Sequence, residues 1–293
     1  MNENDWLAGR FEASRPRLRA MSYRMLGSLG DAEDAVQDAW LHAAGADPGA
    51  VDNLEGWLTT IVARVCLDRL RSRKSRREEP LGAEESLDVE EAMLAGPEQE
   101  AVLADSVGLA LLVVLDTLAP AERVAFVLHD TFALPFGEIA AITGRSPAAA
   151  RQLASRARRR VRGTAPVSGI RLARQREVAE AFLAASRGGD LGALLAVLDP
   201  GVVLHADAAS VPSGVPMTIR GAAAVARGAR GASGRSRYSG VALVNGTPGI
   251  VMAPRGRLVL VLALTIGDGK ISRIDVIADP ARLEELDLAV LDG

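Results

Sequence analysis

The stretch from Glu138 to Gly163, EIAAITGRSPAAARQLASRARRRVRG, holds seven arginines, six of them in its second half, with no acid after Glu138. A guanidinium presents a planar fork of donors that fits a phosphate or the major-groove edge of guanine. A glutamine amide, here Gln152, pairs with adenine in the same bidentate way. The surrounding residues are those needed to aim such groups. Glu138 to Ile142 predicts a short helix, Gly144 suits a left-handed cap after it, Ser146 suits an N-cap, and Pro147 fits the first helical position. On a wheel of about 3.6 residues per turn, Ala150, Leu153, Ala157 and Val161 share one face. Ala148, Gln152, Ser155 and Arg159 share the opposite face, flanked by Arg151 and Arg156. This is helix-turn-helix grammar, with a polar face for a groove and small residues that permit close approach. A helical hairpin with a solvated basic end is the plainer reading, and the pattern does not separate a repressor from any other DNA reader.

The net charge of −3 over 293 residues conceals a segregation that a polyanion would feel locally. Arg64 to Arg77 holds seven bases against Asp68 alone, and Glu78 to Asp105 follows with ten acids and no Lys or Arg. The arginine run comes after that. Cys66 is the single cysteine, which excludes an intrachain disulfide and a Cys-rich zinc site. The start, MNENDWLAGRFE, has no apolar core of signal-peptide type, and no apolar run is long enough to span a bilayer, so a cytoplasmic protein is expected.

The elements that must carry these groups fall into two regimes. Up to about residue 162 the apolar spacing is helical. Phe11, Leu18, Met21, Met25 and Leu26 form one face until Gly27 and Gly30 break it. Asp31 is expected to cap the next helix, with Asp34 three residues on. Ala35, Val36, Ala39, Trp40 and Leu41 lie on that helix's apolar side. After the loop GADPGAVDN, a third helix carries Trp57, Leu58, Ile61, Val62 and Val65. Arg64, Asp68 and Arg71 line one side of it, a basic track of the kind that holds single-stranded DNA, and Asn53 stands before it where it can hydrogen-bond an extruded base. Trp57 reads as a core anchor. Residues 102–162 form a compact helical bundle, broken at Pro120. Beyond GTAPVSG come a helix over 171–187 and the strand-like runs VVLHAD, MTIRG, SGVALVN, IVMA, RLVLVLALTI and KISRIDVIAD, an α+β domain with a mostly antiparallel sheet.

Three stretches in order, LGDAEDAVQDAWLHA, NLEGWLTTIVARVCLDRLRSRKSRR and LAPAERVAFVLHDTFALPFGEIAAITGRSPAAARQLASRARRRVR, resemble a bacterial extracytoplasmic-function (ECF) sigma factor over residues ~5–163. The added C-terminal domain is similar to that of the SigJ-type group, whose extra domain is SnoaL-like, in the NTF2-like fold. The resemblance implies a multidomain chain of two all-α sigma domains followed by an α+β cone. The expected bounds are 1–77 for sigma-2, 78–101 for an acidic linker, 102–163 for the sigma-4 helix-turn-helix, and 171–293 for the SnoaL-like domain. It implies binding rather than bond-making, with no cofactor and no metal. The partners are core RNA polymerase (β′ clamp and β flap) and the −10 and −35 promoter elements, with room for a small-molecule ligand in the last domain and no membrane. The polymerase-docking positions become Asp31, Glu33, Asp34 and Gln37. The −10 positions become Asn53, Arg64, Asp68 and Arg71, and the −35 positions Arg151, Gln152, Ser155, Arg156 and Arg159. The alternative is a one-component helix-turn-helix regulator with a ligand-binding NTF2-like domain, which needs neither the docking helix nor the second basic region. An NTF2-like enzyme carrying a DNA-binding appendage stands third.

In the last domain, His205, Asp207 and Tyr238 are the polar residues to check for acid–base work, although one His and one Asp alternating on a strand read first as structural. The group's Asn-Pro-Asp-Lys-Leu corresponds to Asp279, Pro280, Ala281, Arg282 and Leu283, which the resemblance makes interdomain regulatory residues. Its Asp-Gly-Gly-Gly-Lys is reduced to Asp207, Ala208, Ala209, Ser210 and Val211. The linker's Trp-Leu-Pro-Glu-Pro is absent, with Pro80–Leu81–Gly82 nearby. Because both readers lie upstream, truncation after Gly163 is expected to leave polymerase binding intact while changing promoter output, as measured by pull-down and run-off transcription.

Overall fold

The computed structural model describes residues 3–46, 53–78, 108–163 and 169–290. It divides into two compact units, Met1–Ser86 with Leu115–Arg159, and Leu87–Val114 with Arg160–Gly293. The linker expected over 78–101 lies outside the described residues apart from Glu78, as do residues 47–52 of the loop before Asn53.

In the first unit α1 (Glu3–Leu26), α2 (Leu29–Ala44) and α3 (Leu54–Glu78) pack together. Leu7, Phe11, Leu18, Met21 and Met25 of α1 bury against Ala32, Ala35, Val36 and Ala39 of α2 and Leu58, Val62, Cys66 and Leu67 of α3. Small residues on α2 let the helices approach closely. The Phe11 and Trp40 rings sit 5.0 Å apart, tilted. Burial pushes the Cys66 thiol up to about 11, so it stays protonated as a core residue. The start of α2 differs from the expectation. Gly27, with φ 81°, ends α1, but Gly30 lies inside α2. The cap is Ser28, whose Oγ accepts from the Asp31 N–H at 3.4 Å. Asp31 is therefore a first-turn residue with its carboxylate directed elsewhere. On α3 the buried face is Leu58, Val62, Ala63, Cys66, Leu67 and Leu70, while Trp57, Ile61 and Val65 are only half-buried.

The helix-turn-helix follows in α4 (Leu109–Asp116), α5 (Pro120–Phe126) with a wide turn over Val127–Thr131, α6 (Phe136–Thr143) and α7 (Pro147–Arg162). Pro120 is a helix start, since its missing N–H costs nothing there. α3 packs on both α5 and α6. Arg123 of α5 is 2% exposed, and its guanidinium lies 3.0 Å from Asp116 Oδ1. A second nitrogen points to the Arg24 carbonyl at 3.5 Å. One buried cation thus ties the ends of α4 and α1 to α5.

The second unit holds a seven-stranded sheet in the order β2-β1-β6-β5-β4-β3-β7. The strands are β1 (Leu198–Ala206), β2 (Met217–Arg220), β3 (Ser239–Val244), β4 (Thr247–Met252), β5 (Leu260–Gly267), β6 (Lys270–Ile277) and β7 (Leu288–Ala289). Only β1 and β6 run parallel. Asn245–Gly246 and Asp268–Gly269, all at positive φ, make the tight turns into β4 and β6, as such pairs do where the strand twist demands it. The helices α8 (Gly169–Gly188), α9 (Leu191–Val197), α10 (Ala222–Gly231) and α11 (Ser233–Ser236) complete the unit. Phe182, Leu183, Leu194 and Val225 fill one sheet face against Val202, Leu264, Ile271 and Ile274. α10 and α11 carry no strand or helix expectation from the sequence, because Ala, Gly and Ser there mask the short apolar stripe of Val225 and Ala226.

Two further segments join this sheet. A Cβ at Gly240 would stand 3.2 Å from Leu109 Cβ, so the first turn of α4 lies on β3. The Val290 N–H donates to the Val161 carbonyl at 2.8 Å, and Ala289 occupies the space beside Gly163. The last turn of α7 is thereby capped by the strand paired to the sheet edge. A chain cut after Gly163 loses both supports, which makes substitutions in the full chain the cleaner probes of function.

Replacing Arg123 by Ala leaves Asp116 beside an emptied, buried site and is expected to destabilise the first unit by about 3–5 kcal/mol. Replacing Arg123 and Asp116 together by Met and Leu should recover most of that loss, as read by denaturant unfolding of the full chain.

Candidate nucleic-acid and polymerase interfaces

The turn before α7 is built as its residues require. Gly144 takes φ 68°, and Ser146 Oγ accepts from the Ala149 N–H at 3.2 Å. Ala150, Leu153, Ala154, Ala157 and Val161 are buried, so the opposite face is held outward. Gln152, Ser155 and Arg159 are exposed on it, with Ala148 at its start. The flanking arginines are held in place. The Arg151 guanidinium sits 5.4 Å from the Phe136 ring centre, and Arg156 Nε donates to Glu122 at 2.8 Å. Arg158 pairs with Asp130 at 2.5 Å, an internal tie from α7 to the turn after α5.

α3 presents Arg64, Asp68 and Arg71 along one exposed side. Asp68 and Arg71 pair at 3.3 Å, and Arg64 donates to the Ala141 carbonyl of α6 at 3.2 Å. Asn53 caps α3 through Oδ1, which accepts from the Gly56 N–H at 3.0 Å. Its role in the chain as folded is therefore local, with the rest of the amide left exposed.

The acidic face of α2 is laced to its neighbours. Asp31 pairs with Arg73 at 2.5 Å, Glu33 with Arg19 at 3.3 Å, and Asp34 with Arg69 at 3.9 Å. Arg69 also holds Asp38 at 2.5 Å, and Arg73 reaches the Leu26 carbonyl. Gln37 is exposed. These are surface pairs, each contributing about 0–1 kcal/mol, weak enough to be exchanged for a partner's bases. Arg69 and Arg73 had no role in the sequence pattern. Their spacing of four from each other on α3 was the available sign that they share a face. A cleft of ≈ 340 Å³ opens between α2 and α3, lined by Leu41, His42, Val65 and Arg69 among others. Leu41, expected on the apolar side of α2, is 64% exposed there.

Residues 10–76 match the Sigma-70 region 2 family, and residues 108–161 match the Sigma-70, region 4 family. The probable ECF RNA polymerase sigma factor SigI of Mycobacterium tuberculosis (strain ATCC 25618 / H37Rv) is 36% identical over 293 residues, covering 98% of each chain. This chain belongs to the ECF sigma factors. The ECF RNA polymerase sigma factor SigJ of the same organism is 39% identical, over 92% of this chain and 91% of that one. The crystal structure of M. tuberculosis SigJ aligns with 94% of this chain and 98% of that one, at 34% identity and a TM-score of 0.43.

The ECF sigma factor's region 2 thus ends within α3, and its region 4 runs from just before α4 to the last turn of α7. No helix among the described residues is long and apolar enough to cross a membrane. In the C-terminal unit, His205, Asp207 and Tyr238 do not come together. Tyr238 stands just before β3, four strands from β1, which is about 19 Å across a sheet. It is buried with Met252, Val259 and Leu260. His205 meets Thr218 Oγ1 across β1 and β2 at 3.1 Å.

Asp207 is instead the joint between the two C-terminal motifs. One carboxylate oxygen accepts from the Ala278 and Asp279 N–H groups at 2.9 and 3.1 Å. The other accepts from the Ser210 N–H at 3.0 Å, and Arg282 lies 3.5 Å away. Asp279 then caps the short helix α12 (Pro280–Glu284). Burial works against the ionised form of Asp207, but the N–H groups of Asp279, Ala278 and Ser210 outweigh it and hold the carboxyl below its usual range. Asp279, Pro280, Arg282 and Leu283 thus belong to a structure anchored by Asp207. A carboxyl depressed in the folded chain stabilises it above the unfolded pKa, and that stability is lost as pH falls through the folded value. Asp207→Asn is therefore expected to cost about 1–3 kcal/mol at pH 7. The gap to the parent should narrow as pH drops below about 4, as read by urea midpoints across that range.

Proposed function

We propose that this ECF sigma factor binds core RNA polymerase through the exposed side of α2 and reads a two-part promoter. α7 would read the −35 element through Arg151, Gln152, Ser155, Arg156 and Arg159. α3 and the loop before it would hold the −10 non-template strand through Asn53, Arg64, Asp68 and Arg71. The domain bounds 1–77, 102–163 and 171–293, with the acidic stretch 78–101 between the readers, belong to the same reading. So do a non-enzymatic mechanism, a place of action in the cytoplasm beside the polymerase, and a C-terminal domain that modulates output through Asp279, Pro280, Arg282 and Leu283.

The observation that carries the reading is the sorting of α7. Ala150, Leu153, Ala154, Ala157 and Val161 are turned inward, while Gln152, Ser155 and Arg159 face outward with no acid on the helix. Capture of single-stranded bases must offset unstacking of a few kcal/mol per base, and phosphate contacts from two basic regions contribute on that scale. Arg64 has a further condition to meet. Its hydrogen bond to the Ala141 carbonyl must be released before the Arg64 side chain can turn to a strand.

The test is run-off transcription with purified core polymerase and the full chain. Arg151→Ala with Gln152→Ala should lower output from the cognate promoter by about 10-fold or more, given ~1–3 kcal/mol per bidentate base contact, while leaving polymerase affinity unchanged. Glu33→Lys with Gln37→Ala should do the reverse, weakening the complex with polymerase in a pull-down. Unchanged promoter preference in the first variant would remove α7 as the reader.

A further inference from the structure

The arginines on and beside the reading face of α7 are held by different means. Arg156 Nε donates to Glu122 at 2.8 Å, and Arg158 pairs with Asp130 at 2.5 Å. A guanidinium on a carboxylate has part of its fork engaged, and must release it before it can take up a base. Arg151 is exposed, and no acid pairs with it among the described residues. Its guanidinium carbon lies instead over the Phe136 ring, 5.4 Å from the centre. A cation is drawn to a ring face by the ring's quadrupole, so this contact uses none of the five N–H donors. Phe136 is itself fixed. It is the half-buried first residue of α6, next to the extended Pro135, and the His129 ring stacks on it with centroids 4.0 Å apart at 30°. His129 is fixed in turn, with Nδ1 3.1 Å from the Leu134 carbonyl. A carbonyl can only accept, so Nδ1 carries the proton. The loop between the two rings is closed by the Ala133 N–H on the His129 carbonyl at 3.0 Å and the Leu134 N–H on the Leu128 carbonyl at 2.9 Å. A chain of contacts thus runs from the turn after α5, through the start of α6, to the second turn of α7.

We propose that Phe136, backed by His129, is a positioning residue for Arg151, and that it sharpens discrimination at the base pair of the −35 element that Arg151 reads. The proposal rests on the −35 reading of α7 given above. An arginine side chain has many rotamers, and ordering it on a base costs entropy that a ring-held side chain has already lost. A carboxylate also orders an arginine, as Glu122 does Arg156, but it competes with guanine O6 and N7 for the same donors. An aliphatic side chain at position 136 fills space without attracting the cation. The aromatic ring does both, ordering Arg151 and leaving its fork open to a base edge. Its effect on reading is confined to this one arginine, whereas the caps at Gly144 and Ser146 set the course of the whole helix. At an exposed site such a contact corresponds to about 2- to 5-fold in affinity.

The experiment measures binding of the full chain with core polymerase to the cognate promoter and to duplexes with single base changes across the −35 element. Phe136→Leu keeps an apolar side chain without a ring face, and Phe136→Tyr keeps both. Phe136→Leu should weaken cognate binding by about 2- to 5-fold, and the loss should fall at the base position where Arg151→Ala also flattens the preference. Phe136→Tyr should bind as the parent does. With Arg151→Ala already in place, Phe136→Leu should bring no further loss, because the ring then holds nothing. A second reading needs no promoter. In the full chain free in solution, the Phe136 ring current should move the Arg151 Cδ proton resonances upfield, an effect lost in Phe136→Leu and kept in Phe136→Tyr. An equal loss on every −35 sequence, or the same loss with and without Arg151, would make Phe136 purely structural and overturn the proposal. Arg151 resonances left unmoved by Phe136→Leu would do the same. Should Phe136→Leu lower the unfolding midpoint, Phe136→Met supplies the same comparison. Failure of the −35 reading is seen separately, as base preference that Arg151→Ala leaves unchanged at every position while the ring-current shift persists, and the proposal then falls with it.

Discussion

A guanidinium keeps its charge at any pH a cell meets, so every arginine must be buried against an acid, paired at the surface, or left to water or a partner. With 32 arginines and two lysines, this chain is organised by that constraint. Arg123 takes the first course, enclosed by Asp116 and the end of α1, and so locks the helix-turn-helix to the three-helix body. Arg69 and Arg73 take the second, tying α3 to the acidic side of α2. Arg156 and Arg158 hold α7 to α5 and the turn after it. What remains outward on α7 is a short polar set around Gln152.

This sorting explains why a chain of net charge −3 can still present surfaces suited to a polyanion. Most acids in the described helices face bases of neighbouring helices, and each such pair is cheap to rearrange. The acidic side of α2 and the basic side of α3 are therefore held in shape by contacts that a larger, better-matched partner can replace. Arg64 on the Ala141 carbonyl is the same kind of contact, a modest bond across two helices that each have another use.

The C-terminal sheet has a comparable economy. Asp207 is one residue past β1, yet its carboxylate organises the segment after β6 by accepting from two of its N–H groups. At the opposite edge β7 extends the sheet by two residues and passes directly to the cap on α7. The Val290 N–H thus holds the Val161 carbonyl through backbone alone, which side-chain chemistry in either segment does not reveal.

Much was legible from the chain alone because it depends on neighbours a few residues away. Gly144, Ser146 and Pro147 dictate the turn before α7, and the spacing of Ala150, Leu153 and Ala157 decides which side of that helix is buried. Asn245–Gly246 and Asp268–Gly269 mark their hairpins for the same local reason, the need for positive φ. The family was likewise written in three motifs in order. Long-range partners were not legible. Ser28 rather than Asp31 capped α2, because the choice depends on where α1 stops and what Arg73 offers the Asp31 carboxylate. Asn53 and Arg64 turned to backbone groups, and Asp207 joined two motifs that lie about seventy residues apart. Periodicity reports which face of an element is apolar, but a hydrogen bond between distant segments leaves no period in the sequence, and only the packed chain decides it.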